Sequence, residues 1–149
     1  MNLMHSIKWM FLGSIVIGLY LNGMNVLAYR YSDLYFSSTT LIYSALLMAS
    51  NMCILEILMF YDHSGIFNIN FLLLFLAISI TLIVLLRTQF MVGDKEWLKR
   101  MISHHSTALT TSHQILKKTE NPEIQKLATD IVETQEREIE LMKNLLKNN

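Results

Sequence analysis

Two hydrophobic patterns divide the chain. Up to Leu86 the apolar residues run almost unbroken, and the only formal charges are Lys8, Arg30, Asp33, Glu56 and Asp62. All the remaining charges lie from Arg87 onward. Trp9 to Ala28, Thr40 to Tyr61 and Ile69 to Leu86 each approach the roughly 20 apolar residues that carry a helix across a bilayer. The pattern predicts three transmembrane helices, with Trp9, Tyr29 and Tyr61 as interfacial anchors. A cleaved signal peptide is the weaker reading of the first span, because no Ala-x-Ala site follows it and two further spans do.

The polar part breaks once, between Lys117 and Pro122. Asn121 suits an N-cap and Pro122, the only proline, suits the first helical position. Asp94 after Gly93 marks the start of the preceding helix. The expected fold is all-α: three transmembrane helices in residues 1–90, then a helical hairpin in 91–149 with helices at about 94–118 and 122–147. At 100° per residue, Ile124, Leu127, Ala128, Ile131, Ile139, Met142, Leu145 and Leu146 share one arc of the last helix. Trp97, Leu98, Met101, Ile102, Ala108, Leu109, Ile115 and Leu116 do so on the preceding one. Trp97, Leu109, Leu127 and Leu146 together form a stripe broader than one partner helix covers, which predicts a homo-oligomer built as a four-helix bundle from two hairpins.

Composition narrows the function. Of 149 residues, 52% are hydrophobic and 16% charged, against about 25% charged in an average soluble domain, so the partner to expect is a lipid bilayer. Lys and Arg number 12, as do Asp and Glu, so there is no net field to gather nucleic acid. Cys53 is alone; it forms no internal disulfide and supplies no cysteine-rich zinc site. No Glu-x-x-His pair of a di-iron oxidase, no His-Glu-x-x-His and no phosphate-binding glycine loop occurs. The chain does not read as an enzyme.

The chemistry on offer lies where polar residues fall inside apolar arcs. Glu138 does so, with Gln135 one turn before it and Met142 one turn after. His105 lies near the centre of the facing arc, His104 and His113 at its edges, and Met101 one turn from both members of the His pair. Met101, His104, His105, Gln135, Glu138 and Met142 are therefore the candidate metal ligands, and thioethers favour Cu(I). A His105–Glu138 hydrogen-bonded pair that sets helix register is the alternative. On the second span Ala45, Met48, Ala49, Met52, Glu56 and Met59 share a face, with Cys53 off it. A carboxylate there reads either as a soft-metal relay along Met48, Met52, Glu56 and Met59 or as a packing seam in which Glu56 bonds a neighbouring helix.

Met101-Ile102-Ser103-His104-His105, Ala108, Asn121-Pro122-Glu123-Ile124-Gln125-Lys126-Leu127-Ala128 and Gln135 to Lys143 resemble the domain of unknown function 305 family. The three preceding spans look like its membrane-embedded branch. The resemblance implies a ferritin-like helical fold and copper or silver handling outside the cytoplasm. Two positions depart from the family's pattern: Ser103 where proline is usual, and Thr111 where many soluble relatives have methionine. The resulting expectation is a membrane-anchored protein of copper or silver handling, in a bacterial inner membrane. The alternative is a structural or oligomerisation module without metal. Arg30, Arg87, Lys95, Lys99 and Arg100 against Lys8 alone would put the hairpin in the cytoplasm. The resemblance implies the other side, and that placement is preferred here.

Overall fold

A computed structural model describes residues 2–148. Its helices are α1 (Leu3–Tyr20), α2 (Gly23–Val26), α3 (Thr39–Ser64), α4 (Ile69–Thr88), α5 (Asp94–Leu116) and α6 (Pro122–Asn148), with a 3-10 turn at Tyr31–Asp33. The described residues contain no strand, as expected of an all-α chain. Three helical segments are long and apolar enough to cross a membrane. The chain forms two compact units, Met1–Leu21 with Thr39–Met91, and Asn22–Ser38 with Val92–Asn149.

In the first unit α1 starts earlier than the hydrophobic window suggests. Asn2 caps it by accepting from the Met4 amide at 3.1 Å, so Trp9 lies inside the helix and not at its end. The helix stops at Tyr20 because Asn22 restarts the chain as the cap of α2, accepting from the Asn25 amide at 3.1 Å. The span expected to run to Ala28 is thus broken at Leu21 and Asn22.

α1 packs on α3 through small residues. A Cβ added at Gly18 would lie 2.9 Å from the Ala45 Cα, a backbone approach that only glycine permits. Ala45, Ala49, Cys53 and Glu56 continue this buried seam. Cys53 therefore belongs to the packed face: its Sγ lies 3.8 Å from the Ile7 carbonyl. α4 joins α3 through hydroxyls, with Ser50 Oγ donating to the Phe75 carbonyl at 2.9 Å and Ser79 Oγ 2.9 Å from both Ser50 Oγ and Asn51 Oδ1. On the outer faces Leu12, Val16, Leu73, Leu76, Ile80 and Val84 remain exposed, as suits helices solvated by lipid.

In the second unit α5 and α6 form the expected hairpin. Asn121 Oδ1 accepts from the Glu123 amide at 2.9 Å and the Ile124 amide at 3.4 Å, so it caps α6 as read from sequence. At α5 the cap is Gly93, and Asp94 is the first helical residue, where its charge favours the helix N-terminus. The core is Leu98, Ile102, Leu109, Ile139 and Met142, with Tyr35 from the segment between α1 and α3 packed against it. That segment, counted with the transmembrane part from sequence, folds with the hairpin.

Serines explain the docking. Ser106 Oγ accepts from the Tyr29 amide at 2.9 Å and the Arg30 amide at 3.3 Å. Ser103 Oγ donates to the Asp33 carbonyl at 2.7 Å, and Thr107 Oγ1 to the Met24 carbonyl at 3.2 Å. Four backbone groups of the segment thus find side-chain partners on α5. Two ion pairs reach α6: Arg30 Nη2 to Glu136 Oε1 at 2.7 Å, and Lys143 Nζ to Asp33 Oδ1.

Candidate functional site

The candidate site in the hairpin is built on one turn of α5 facing one turn of α6. His105 Nε2 lies 2.8 Å from Glu138 Oε2, and His105 Nδ1 lies 2.8 Å from the Met101 carbonyl. A carbonyl only accepts, so Nδ1 carries a proton. The pair then needs one more proton between Nε2 and the carboxyl: either an imidazolium donates to a carboxylate, or a carboxylic acid donates to the neutral ring. In both forms the pair is net neutral, and both ring nitrogens are engaged. Its two ends differ in exposure, the His105 side chain at 11% and that of Glu138 at 44%.

The other candidate ligands are placed around this pair without converging on it. His104 is exposed and makes no hydrogen bond among the described residues; its ring centroid is 6.0 Å from that of His105. Met142 is buried within the apolar cluster of Leu98, Ile102, Leu109 and Ile139, with Met101 packed at its edge. Gln135 is half-buried. Among the described residues no group of three or more His, Cys, Asp or Glu side chains is positioned to hold a metal ion. The donor set does not fit copper as arranged, because the buried imidazole has no lone pair free of Glu138 and the Met142 thioether is embedded in core. His113 lies against the segment between α1 and α3: its ring stacks on Tyr29 with centroids 4.8 Å apart.

On α3 the expected relay divides. Glu56 is buried and accepts a hydrogen bond from the Ser6 hydroxyl of α1, Met48 and Met52 are half-buried, and Met59 is exposed. The bonding partner on a neighbouring helix is the geometry of a packing seam.

Sequence reasoning missed the clamp from the Asn22–Ser38 segment. Its anchors include the fully buried Asp33, whose Oδ2 has no hydrogen bond among the described residues, and half-buried Lys143. Burial lowers the pKa of Arg100, which faces the Met24 thioether at 2.7 Å and no carboxylate among the described residues. The available signal was Ser103 and Ser106 inside the apolar arc of α5, which demanded acceptors or donors from outside the hairpin.

The hairpin ends in an open apolar groove. Ile115 of α5 and Ile124, Leu127 and Ile131 of α6 line a depression of about 270 Å³ near the interhelical turn, and Leu127 is 60% exposed. Of the four residues in the expected stripe, Leu109 and Leu146 are covered within the unit, whereas Trp97 and Leu127 remain open.

Comparison with known proteins places residues 82–146 in a family described as a domain of unknown function, DUF305. Over 137 residues the chain is 36% identical to an uncharacterised protein of Acanthamoeba polyphaga mimivirus, covering 92% of this chain and 88% of that one. No solved structure matches.

Proposed function

This chain belongs to the DUF305 family, and from that premise we propose that it is an integral membrane protein with three spans, whose hairpin unit assembles with a second copy and catalyses nothing. The observation that carries this reading is the open apolar groove of Ile115, Ile124, Leu127 and Ile131. With Trp97, Leu141 and Leu145 they leave apolar surface exposed on α5 and α6, and pairing two hairpins into a four-helix bundle would cover such surface. The closed His105–Glu138 pair then serves register, holding one turn of α5 opposite one turn of α6.

The make-up of the second unit constrains the topology. The second unit combines Asn22–Ser38 with Val92–Asn149, and a unit folds on one side of a bilayer. The chain between them therefore crosses an even number of times, so α3 and α4 both cross or neither does. The mimivirus relative lends no support to a bacterial inner membrane, and the proposal is confined to a lipid bilayer with both parts of the unit on the same side.

Chemical cross-linking of the full chain in membranes, over a range of protein densities, tests the assembly. Wild type should give dimers that Leu127→Glu abolishes, while Leu12→Ala, on a lipid-facing surface, leaves them intact. Monomer at every density would overturn the reading.

Soft-metal handling is the second reading, favoured by the exposed His104, which makes no hydrogen bond among the described residues and lies one turn from Met101. Metal content of the purified full chain, with and without His104 and His105, separates it from the first. Equal metal in both leaves the assembly module alone.

A further inference from the structure

A cavity of about 590 Å³ lies between α1 and α3, lined by Ser6 and Met10 of α1 and by Glu56, Met59, Phe60, His63 and Ser64 of α3. Its volume falls in the range of small-molecule sites, about 300–1,000 Å³, and far exceeds the space inside a metal coordination sphere. Its polar atoms have a common property. Ser6 gives its hydroxyl proton to Glu56 Oε1, and Ser64 gives its own to the Phe60 carbonyl at 2.7 Å. His63 Nδ1 faces the Met59 carbonyl at 2.9 Å. That contact puts the proton of the neutral ring on Nδ1 and leaves a lone pair on Nε2. Glu56 Oε2 makes no hydrogen bond among the described residues. The Ser6 and Ser64 hydroxyls and the neutral His63 ring have thus spent their donors and, with the Glu56 carboxylate, present acceptors.

A carboxylate among thioethers and an aromatic ring, surrounded by acceptors alone, is complementary to a group that only donates and is positively charged. We propose that this cavity binds an amphiphilic ammonium, a primary or secondary amine on an apolar tail, with Glu56 as its counter-ion. The tail lies along Met10, Met59 and Phe60, and flexible thioethers accommodate tails of different shape. Neither the hairpin nor its assembly enters this inference.

The test is calorimetric titration of the full chain in nanodiscs of phosphatidylcholine, which has no N–H donor in its headgroup. The probes are dodecylammonium, dodecyltrimethylammonium and dodecanol. Wild type should bind dodecylammonium most tightly. Glu56→Gln, which retains an oxygen for the Ser6 bond, should weaken that binding at least about tenfold, as expected for loss of a charged hydrogen bond. Dodecanol binding should stay unchanged. Nanodiscs containing phosphatidylethanolamine identify the source: competition there assigns the site to a lipid ammonium headgroup, and its absence to a free amine. Equal binding of all three probes to wild type, or equal dodecylammonium binding by wild type and Glu56→Gln, would reduce the cavity to an acyl-chain hole and overturn the proposal.

Discussion

Removing the Lys143 ammonium should open the segment between α1 and α3 far more than removing the carboxylate it faces. Asp33 is 0% exposed and its Oδ2 has no hydrogen bond among the described residues, whereas the Lys143 side chain is 28% exposed. Lys143→Met strands a buried carboxylate, an event that costs about 3–5 kcal/mol. The low end applies, because the lysine end of the pair is partly screened by water. Asp33→Asn instead frees an ammonium that rehydrates by a small movement, and it deletes the unsatisfied charge, so its cost is about 1 kcal/mol or less. The double variant should resemble Asp33→Asn. The Tyr29 amide, bonded to Ser106 Oγ, reports the opening. Hydrogen exchange on the full chain in nanodiscs should show it accelerated about 100-fold in Lys143→Met, the equivalent of about 3 kcal/mol of local opening. The change in Asp33→Asn should stay within about tenfold. Equal acceleration in both single variants, or none in Lys143→Met, would refute the argument from unequal burial.

Three further outcomes follow from the same geometry. Glu138→Leu should lower thermal stability by about 1–3 kcal/mol, since it strands a buried imidazole nitrogen, and more than His105→Leu, which leaves Glu138 to water; the reverse order in thermal unfolding would reject the asymmetry. Burial holds the folded pKa of Arg100 below its unfolded value, so folding disfavours its charged form by a penalty that is constant around neutrality and fades only as pH rises toward the guanidinium range. Arg100→Met should accordingly be neutral or stabilising near pH 7, and a lowered unfolding temperature would contradict this. In a Cys53→Ser background, Ser32→Cys and Lys118→Cys should react with an impermeant maleimide from one side of the membrane and Ile66→Cys from the other; labelling of Ser32→Cys and Lys118→Cys from opposite sides would exclude the even-crossing topology.

The parts legible in the sequence were those fixed by periodicity over a whole helix. Asn121 and Pro122 marked the start of α6, and the arcs on α5 and α6 brought His105 opposite Glu138. The first span was misplaced because an apolar count cannot distinguish a continuous helix from one interrupted at Leu21 and recapped by Asn22. Convergence of Met101, His104 and Met142 was illegible for another reason: angular position on a helix does not say whether a thioether points into core or toward a ligand. The clamp was hidden by distance along the chain. Asp33 stood in the sequence only as one of the few charges before Leu86, with nothing to tie it to Lys143.

That separation has a consequence for synthesis. Asp33 leaves the ribosome 110 residues before Lys143, and at roughly 5–20 residues per second the delay is about 5–20 s. For the first 70 of those residues the Asn22–Ser38 segment lacks Ser103 of α5, and Lys143 comes only at the end, so its polar backbone must stay hydrated while α3 and α4 are made. The unit consequently closes only after its last helix is made, and a nascent chain stalled before Lys143 would display an unsealed segment to quality-control proteases. Closure of this unit waits on the hairpin, because an early loop is sealed by a helix made much later.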